Sequence, residues 1–156
     1  MTIHSLLSEE TILHNLRVGD KKELLNRLVD LLSGQVDGKQ LESIREAVFE
    51  REEIMSTGVG KGLAIPHGKA NGVTENHACF AILEKPVDYD SIDQNPVEIV
   101  FLLVGPESKN SIHIKFLSRI SRLMNSNSFR ERLLQCESPG EILEHFREEE
   151  RHYFDS

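Results

Sequence analysis

Asp20-Lys21-Lys22-Glu23 has the form of a helix capping box, and Leu24, Leu25, Leu28, Leu31 and Leu32 follow at helical spacing. The pattern predicts a helix from there to Ser33, ended by Gly34. After the turn Val36-Asp37-Gly38, the apolar positions Leu41, Ile44, Val48 and Phe49 predict a second helix to about Glu53. Arg51 then falls in its last turn, at the rim of the apolar stripe. Ser56 to Gly62 is too rich in glycine for a helix or a regular strand and reads as a loop. Leu63-Ala64-Ile65 alternates as a short strand that stops at Pro66-His67-Gly68. His77 to Leu83 and Val97 to Val104 predict further strands, the second so uniformly apolar that it belongs in the centre of a sheet. Pro86, Asp88, Asp90, Asp93 and Asn95 mark a turn-rich connection between them. From Ser111, the positions His113, Phe116, Leu117, Ile120 and Met124 form a helical stripe with His113 in the first turn, facing inward. Two shorter helices are expected, opened by Ser128-Phe129-Arg130-Glu131 and Ser138-Pro139-Gly140-Glu141, and then a charged tail that frays from about Arg147. The whole reads as an α/β protein with a sheet covered by helices, in a strand order that periodicity does not determine.

Composition narrows this picture. A chain of 156 residues fits one domain over 1–156 that can bury a core without disulfides or structural metal. The longest wholly apolar run, Ile99 to Val104, is too short to span a bilayer, so no membrane insertion is expected. The N-terminus lacks a basic segment followed by an apolar core and a cleavage site, which leads to a cytoplasmic expectation. Two cysteines, Cys79 and Cys136, are too few for a disulfide framework and read as buried thiols. A net charge of −8 opposes nucleic acid as a partner, since no basic footprint is visible. The run Glu148-Glu149-Glu150 is expected to be solvated surface.

Candidate chemistry gathers between Arg51 and Lys69. His67 stands at the end of a strand beside a loop of backbone amides, with Pro66 fixing the approach and Gly68 allowing another chain near the imidazole. A neutral imidazole can attack phosphorus near pH 7, and the phosphohistidine formed can pass its group on. Arg51, the hydroxyls of Ser56 and Thr57, and the amide of Gly58 are the kinds of group that surround phosphoryl oxygens. Plainer readings stand beside these: His113 as a satisfied core histidine, and Arg51 as a solvated cation favoured by a helix C-terminus. Gly58-Val59-Gly60-Lys61-Gly62 has neither the G-x-G-x-x-G spacing nor a G-K-[ST] ending, so no nucleotide cofactor is expected. No close histidine pair or cysteine pair supports a metal site, and Glu52 reads as a solvated helix residue.

Arg51-Glu52, Ser56-Thr57-Gly58-Val59-Gly60 and Gly62-Leu63-Ala64-Ile65-Pro66-His67-Gly68-Lys69 together resemble the active-site signature of the IIA components of the fructose, mannitol and nitrogen-regulatory branch of the bacterial phosphotransferase system. Asp88-Tyr89-Asp90-Ser91-Ile92-Asp93 before Pro96-Val97, and His113 opening the next helix, extend the resemblance over nearly the whole chain. It implies a type-2 IIA fold, a mixed β-sheet between helical layers. It also implies that His67 accepts a phosphoryl group from an HPr-type carrier, and that Arg51 and His113, the latter 46 positions further on, lie near it. Three functions remain open: a nitrogen-regulatory phosphocarrier, a sugar-specific IIA protein that passes phosphate to a IIB cysteine, and a non-catalytic binding module of the same fold.

Overall fold

The computed structural model describes residues 2–154. Its centre is a six-stranded mixed sheet ordered β1 (Ile12–Leu16), β5 (His77–Val87), β6 (Val97–Pro106), β3 (Leu63–Ala64) and β2 (Gly58–Gly60), with β4 (His67–Ala70) also paired to β6. β5 and β6 are antiparallel, β1 runs parallel to β5, and both β3 and β4 run parallel to β6. Alternate residues of the central strands enter opposite cores. Phe80, Ile99, Phe101 and Leu103 face one, while Cys79, Val100, Leu102 and Val104 face the other. Burial on both faces is why β6 is an unbroken apolar run and not an alternating one.

The first core is roofed by α3 (Asn110–Met124), α4 (Asn127–Leu134) and α5 (Pro139–Phe154), whose Phe116, Phe129 and Phe146 pack into it. Phe146 meets Phe80, Phe101 and Phe129 edge-on at centroid distances of 5.0, 5.7 and 5.2 Å, the arrangement that aromatic quadrupoles favour. The second core is covered by α1 (Lys21–Asp30) and α2 (Gly38–Ile54) through Leu24, Leu28, Ile44 and Val48. This is the expected sheet between helical layers.

Several boundaries differ from the sequence expectations. α1 ends at Asp30 and tightens into a 3-10 turn over Leu31–Gly34. Strand β1 was not foreseen, because Ile12–Leu16 carries His14 and Asn15 within an apolar frame and Asn15 takes a positive φ of 56°. Part of the glycine loop is strand β2, closed onto β3 by a turn in which Gly60, Lys61 and Gly62 all have positive φ. The N-cap of α4 lies two residues before the expected Ser128, at Ser126, whose hydroxyl accepts from Phe129 N. The C-terminal segment does not fray: α5 continues to Phe154. Glu149 and Glu150 are buried, the former paired with Arg132. The latter's carboxylate accepts from the backbone amides of Ile3 and His4 at 2.7 and 2.6 Å. No helix among the described residues is long and apolar enough to cross a membrane.

Candidate functional site

Pro66 lacks the N–H that would continue the ladder, and the chain beside β6 is accordingly split into β3 and β4. The Pro66 carbonyl still accepts from Leu103 N at 3.1 Å, which anchors the break. His67 therefore opens a strand, β4, and does not hang at the end of one. Gly68 has a different use from the one expected. A Cβ there would stand 3.2 Å from the backbone of Ala47 and Val48, so the chain approached so closely is this protein's own α2.

The half-buried His67 ring has Nδ1 2.9 Å from the Ile65 carbonyl oxygen. A carbonyl can only accept, so Nδ1 carries the proton and Nε2 holds the lone pair. Burial, more than the neighbouring Arg51 guanidinium, lowers the His67 pKa from its usual value, against smaller opposing effects of the Ile65 carbonyl and Glu52. The ring is neutral and nucleophilic at neutral pH.

His113, in the first turn of α3, is 4% exposed, and its ring centroid lies 5.9 Å from that of His67. Desolvation first, then His67 and Lys69, push its pKa down to about 4. Arg51, in the last turn of α2, lines the same open cavity as both histidines and donates from Nη1 to the Met55 carbonyl at 2.8 Å. Sequence reasoning assigned no role to four other polar residues of the cavity wall, Glu50, Lys69, Glu107 and Asn110, and Lys69 Nζ donates to Asn110 Oδ1 at 2.5 Å. Their polarity alone did not separate them from surface residues. Ile54, which lines the cavity, is 80% exposed.

Ser56, Thr57 and Gly58, expected to offer donors to phosphate, spend those donors inside the fold. The Thr57 hydroxyl and amide donate to Glu52 at 2.5 and 2.8 Å. The Ser56 hydroxyl donates to the Tyr89 carbonyl and accepts from Gly58 N. None of the three lines the cavity. Glu52, expected in solvent, is buried, with Lys21 Nζ at 2.9 Å and Tyr89 reaching Thr57 Oγ1 at 3.0 Å. The signature loop is thus held by a buried carboxylate between α1, α2 and the segment after β5. Both cysteines are buried, and burial raises the Cys79 thiol pKa. Among the described residues no cluster of three or more metal-ligating side chains is present.

Residues 5–149 match the family described as phosphoenolpyruvate-dependent sugar phosphotransferase system, EIIA 2. A nitrogen regulatory protein of Bradyrhizobium diazoefficiens is 37% identical over 133 residues, 85% of this chain and 86% of that one. The fructose-specific EIIABC component of Bacillus subtilis is 34% identical over 146 residues, 92% of this chain but 23% of that protein. The crystal structure of nitrogen regulatory protein IIA-Ntr from Neisseria meningitidis superposes with a TM-score of 0.84 at 32% identity, covering 92% of this chain and 98% of that one.

Proposed function

Because the chain belongs to the EIIA type 2 family of the phosphoenolpyruvate-dependent sugar phosphotransferase system, we propose that it is a phosphocarrier whose His67 takes a phosphoryl group from an HPr-type donor protein. The observation that carries this reading is the pairing of His67, neutral and with Nδ1 tied to a carbonyl, with His113 in a cavity that Arg51 also lines. In the transfer, the Nε2 lone pair of His67 attacks phosphorus, and the P–N bond to the donor's histidine breaks with its electron pair returning to that nitrogen. Attack leaves positive charge on the His67 ring, which the Ile65 carbonyl stabilises through Nδ1–H. Arg51 and His113 act on the phosphoryl oxygens, where a guanidinium offers two directed donors. The exposed Ile54 gives the cavity rim an apolar residue, suited to a protein donor more than to a small polar one.

The chain acts as one domain over 1–156 in the cytoplasm, needs no cofactor or metal, and takes the regulatory role of the nitrogen branch. Similarity to nitrogen regulatory proteins over most of both chains supports that role. The similarity to a fructose-specific component supports a second reading, in which phosphate passes on to a IIB cysteine. Incubation with a phosphorylated HPr-type donor is expected to give acid-labile, base-stable label on the parent protein and none on His67→Ala; label of equal intensity on the variant refutes the acceptor. ATP alone should leave the protein unlabelled. Prompt discharge of the label to a fructose- or mannitol-type IIB protein would favour the sugar-specific role, and retention the regulatory one.

A further inference from the structure

His113 Nδ1 and Asn76 Oδ1 are both buried without a hydrogen-bond partner. They converge on one glycine. A Cβ built on Gly105 would run into Asn76 Oδ1 and stand 3.4 Å from His113 Nδ1. Gly105 lies in β6 next to Val104, which pairs with His77, the residue after Asn76, so the sheet register brings Asn76 alongside Gly105. On its other side Gly105 is paired with Lys69 of β4, two residues beyond His67. A buried amide oxygen and a buried imidazole nitrogen thus share the space left by an absent side chain, beside His113, a residue of the cavity wall. Two such atoms side by side are each other's remedy, since native proteins rarely leave buried polar atoms unpaired.

We propose that Asn76 is a positioning residue of the phosphoryl site: its Oδ1 accepts a hydrogen bond from Nδ1–H of His113, across Gly105, and so fixes the ring and its tautomer with Nε2 directed to the cavity. A small torsional adjustment of the Asn76 side chain or one bridging water completes the contact. When a phosphoryl group arrives on His67, its charge favours protonation of His113 by solvent at Nε2, and the ring then donates to a phosphoryl oxygen while still held at Nδ1. The catalytic part of this inference rests on the phosphocarrier reading, whereas the contact itself does not.

Long-range proton–nitrogen spectra of the unphosphorylated protein labelled with ¹⁵N-histidine report which ring nitrogen of His113 carries the proton. Nδ1–H is expected in the parent and in Asn76→Asp, which keeps an acceptor oxygen. A shift toward Nε2–H is expected in Asn76→Ala and in Gly105→Ala, whose methyl displaces the oxygen without removing it. Transfer from a phosphorylated HPr-type donor to His67 should slow about 10- to 100-fold in Asn76→Ala, with partial recovery in Asn76→Asp. An Nε2–H tautomer in the parent overturns the proposal. So do unchanged His113 nitrogen shifts in folded Asn76→Ala or, should that variant not fold, in Gly105→Ala. A parent that takes no label from the donor refutes the phosphocarrier reading instead and leaves the tautomer result standing.

Discussion

His67 and His113 are both kept neutral by burial, and this sets a pH dependence of defined sign. The His67 pKa is lowered below the usual histidine value, so protonation removes the nucleophile only as the pH falls below that value. Single-turnover transfer to His67 is therefore expected to be flat between about pH 7 and 8 and to fall on the acid side of about 6.5. The same shifts weaken the fold in acid. In the window between the folded pKa of His113, about 4, and the unfolded value of 6.5, the unfolded chain binds the proton that the folded chain refuses, and stability declines as pH falls. Arg51 at the helix rim makes one internal bond, to Met55 O. Arg51→Ala is expected to unfold near the parent temperature yet to slow transfer about 10²–10³-fold, with Arg51→Lys restoring part of the rate. A thermally intact Arg51→Ala that transfers at the parent rate would reduce the residue to a helix-end charge. His67 and Arg51 were legible as candidates because glycine, proline and helix-end positions surround them. Glu52 was not, since burial of a charge needs Lys21 from another helix and the Thr57 donors of a folded-back loop.

The signature loop is an element stabilised by what lies beneath it. Glu52 joins α2 to Lys21 of α1 and to both donors of Thr57, and Tyr89 completes the cluster from beyond β5. Glu52→Ala takes the acceptor from the buried Thr57 amide and leaves the Thr57 hydroxyl with Tyr89 as its remaining partner, and should cost about 1.5–3 kcal/mol. Denaturant unfolding gives this loss directly, and a Glu52→Ala protein as stable as the parent would mean that water replaces the carboxylate. The glycines of this region also divide by role. Gly60 and Gly62 occupy positive φ in the turn from β2 to β3, while Gly68 makes room for the α2 backbone. The sequence marked Gly60 and Gly62 as loop formers and Gly68 as a point of close approach; only the structure identifies the approaching chain as α2.

Across the molecule, Ile3 and His4 are tied to α5 through one buried carboxylate. Glu150, 1% exposed near the end of α5, accepts from Ile3 N, His4 N and His4 Nδ1. Arg119 of α3 approaches Oε2, the oxygen that accepts from Ile3 N, at 3.7 Å. Glu150→Ala removes acceptors from buried donors and is expected to destabilise the protein by about 2–4 kcal/mol, read from the denaturation midpoint. Because neither Glu150 nor its partners Ile3, His4 and Arg119 line the cavity, phosphoryl transfer at low temperature should stay near the parent rate. Loss of transfer without loss of stability would contradict that separation.

Local order in the chain already determined a good deal: the capped starts of α1 and α5, the inward turn of His113, the central place of β6, and the break at Pro66-His67-Gly68 that made His67 a candidate. Each follows from periodicity of 3.6 or 2, or from the fixed torsions of proline, which act between near neighbours in sequence. Tertiary structure alone decided the rest. The pairing of β3 and β4 on one edge of β6, the 5.9 Å approach of His113 to His67, the burial of Glu52 and Glu150, and the meeting of Asn76 with His113 over Gly105 all join residues far apart along the chain. A polar side chain reads as solvated until the partner that desolvates it is known. That partner comes from strand order and helix packing, on which hydrophobic period is silent.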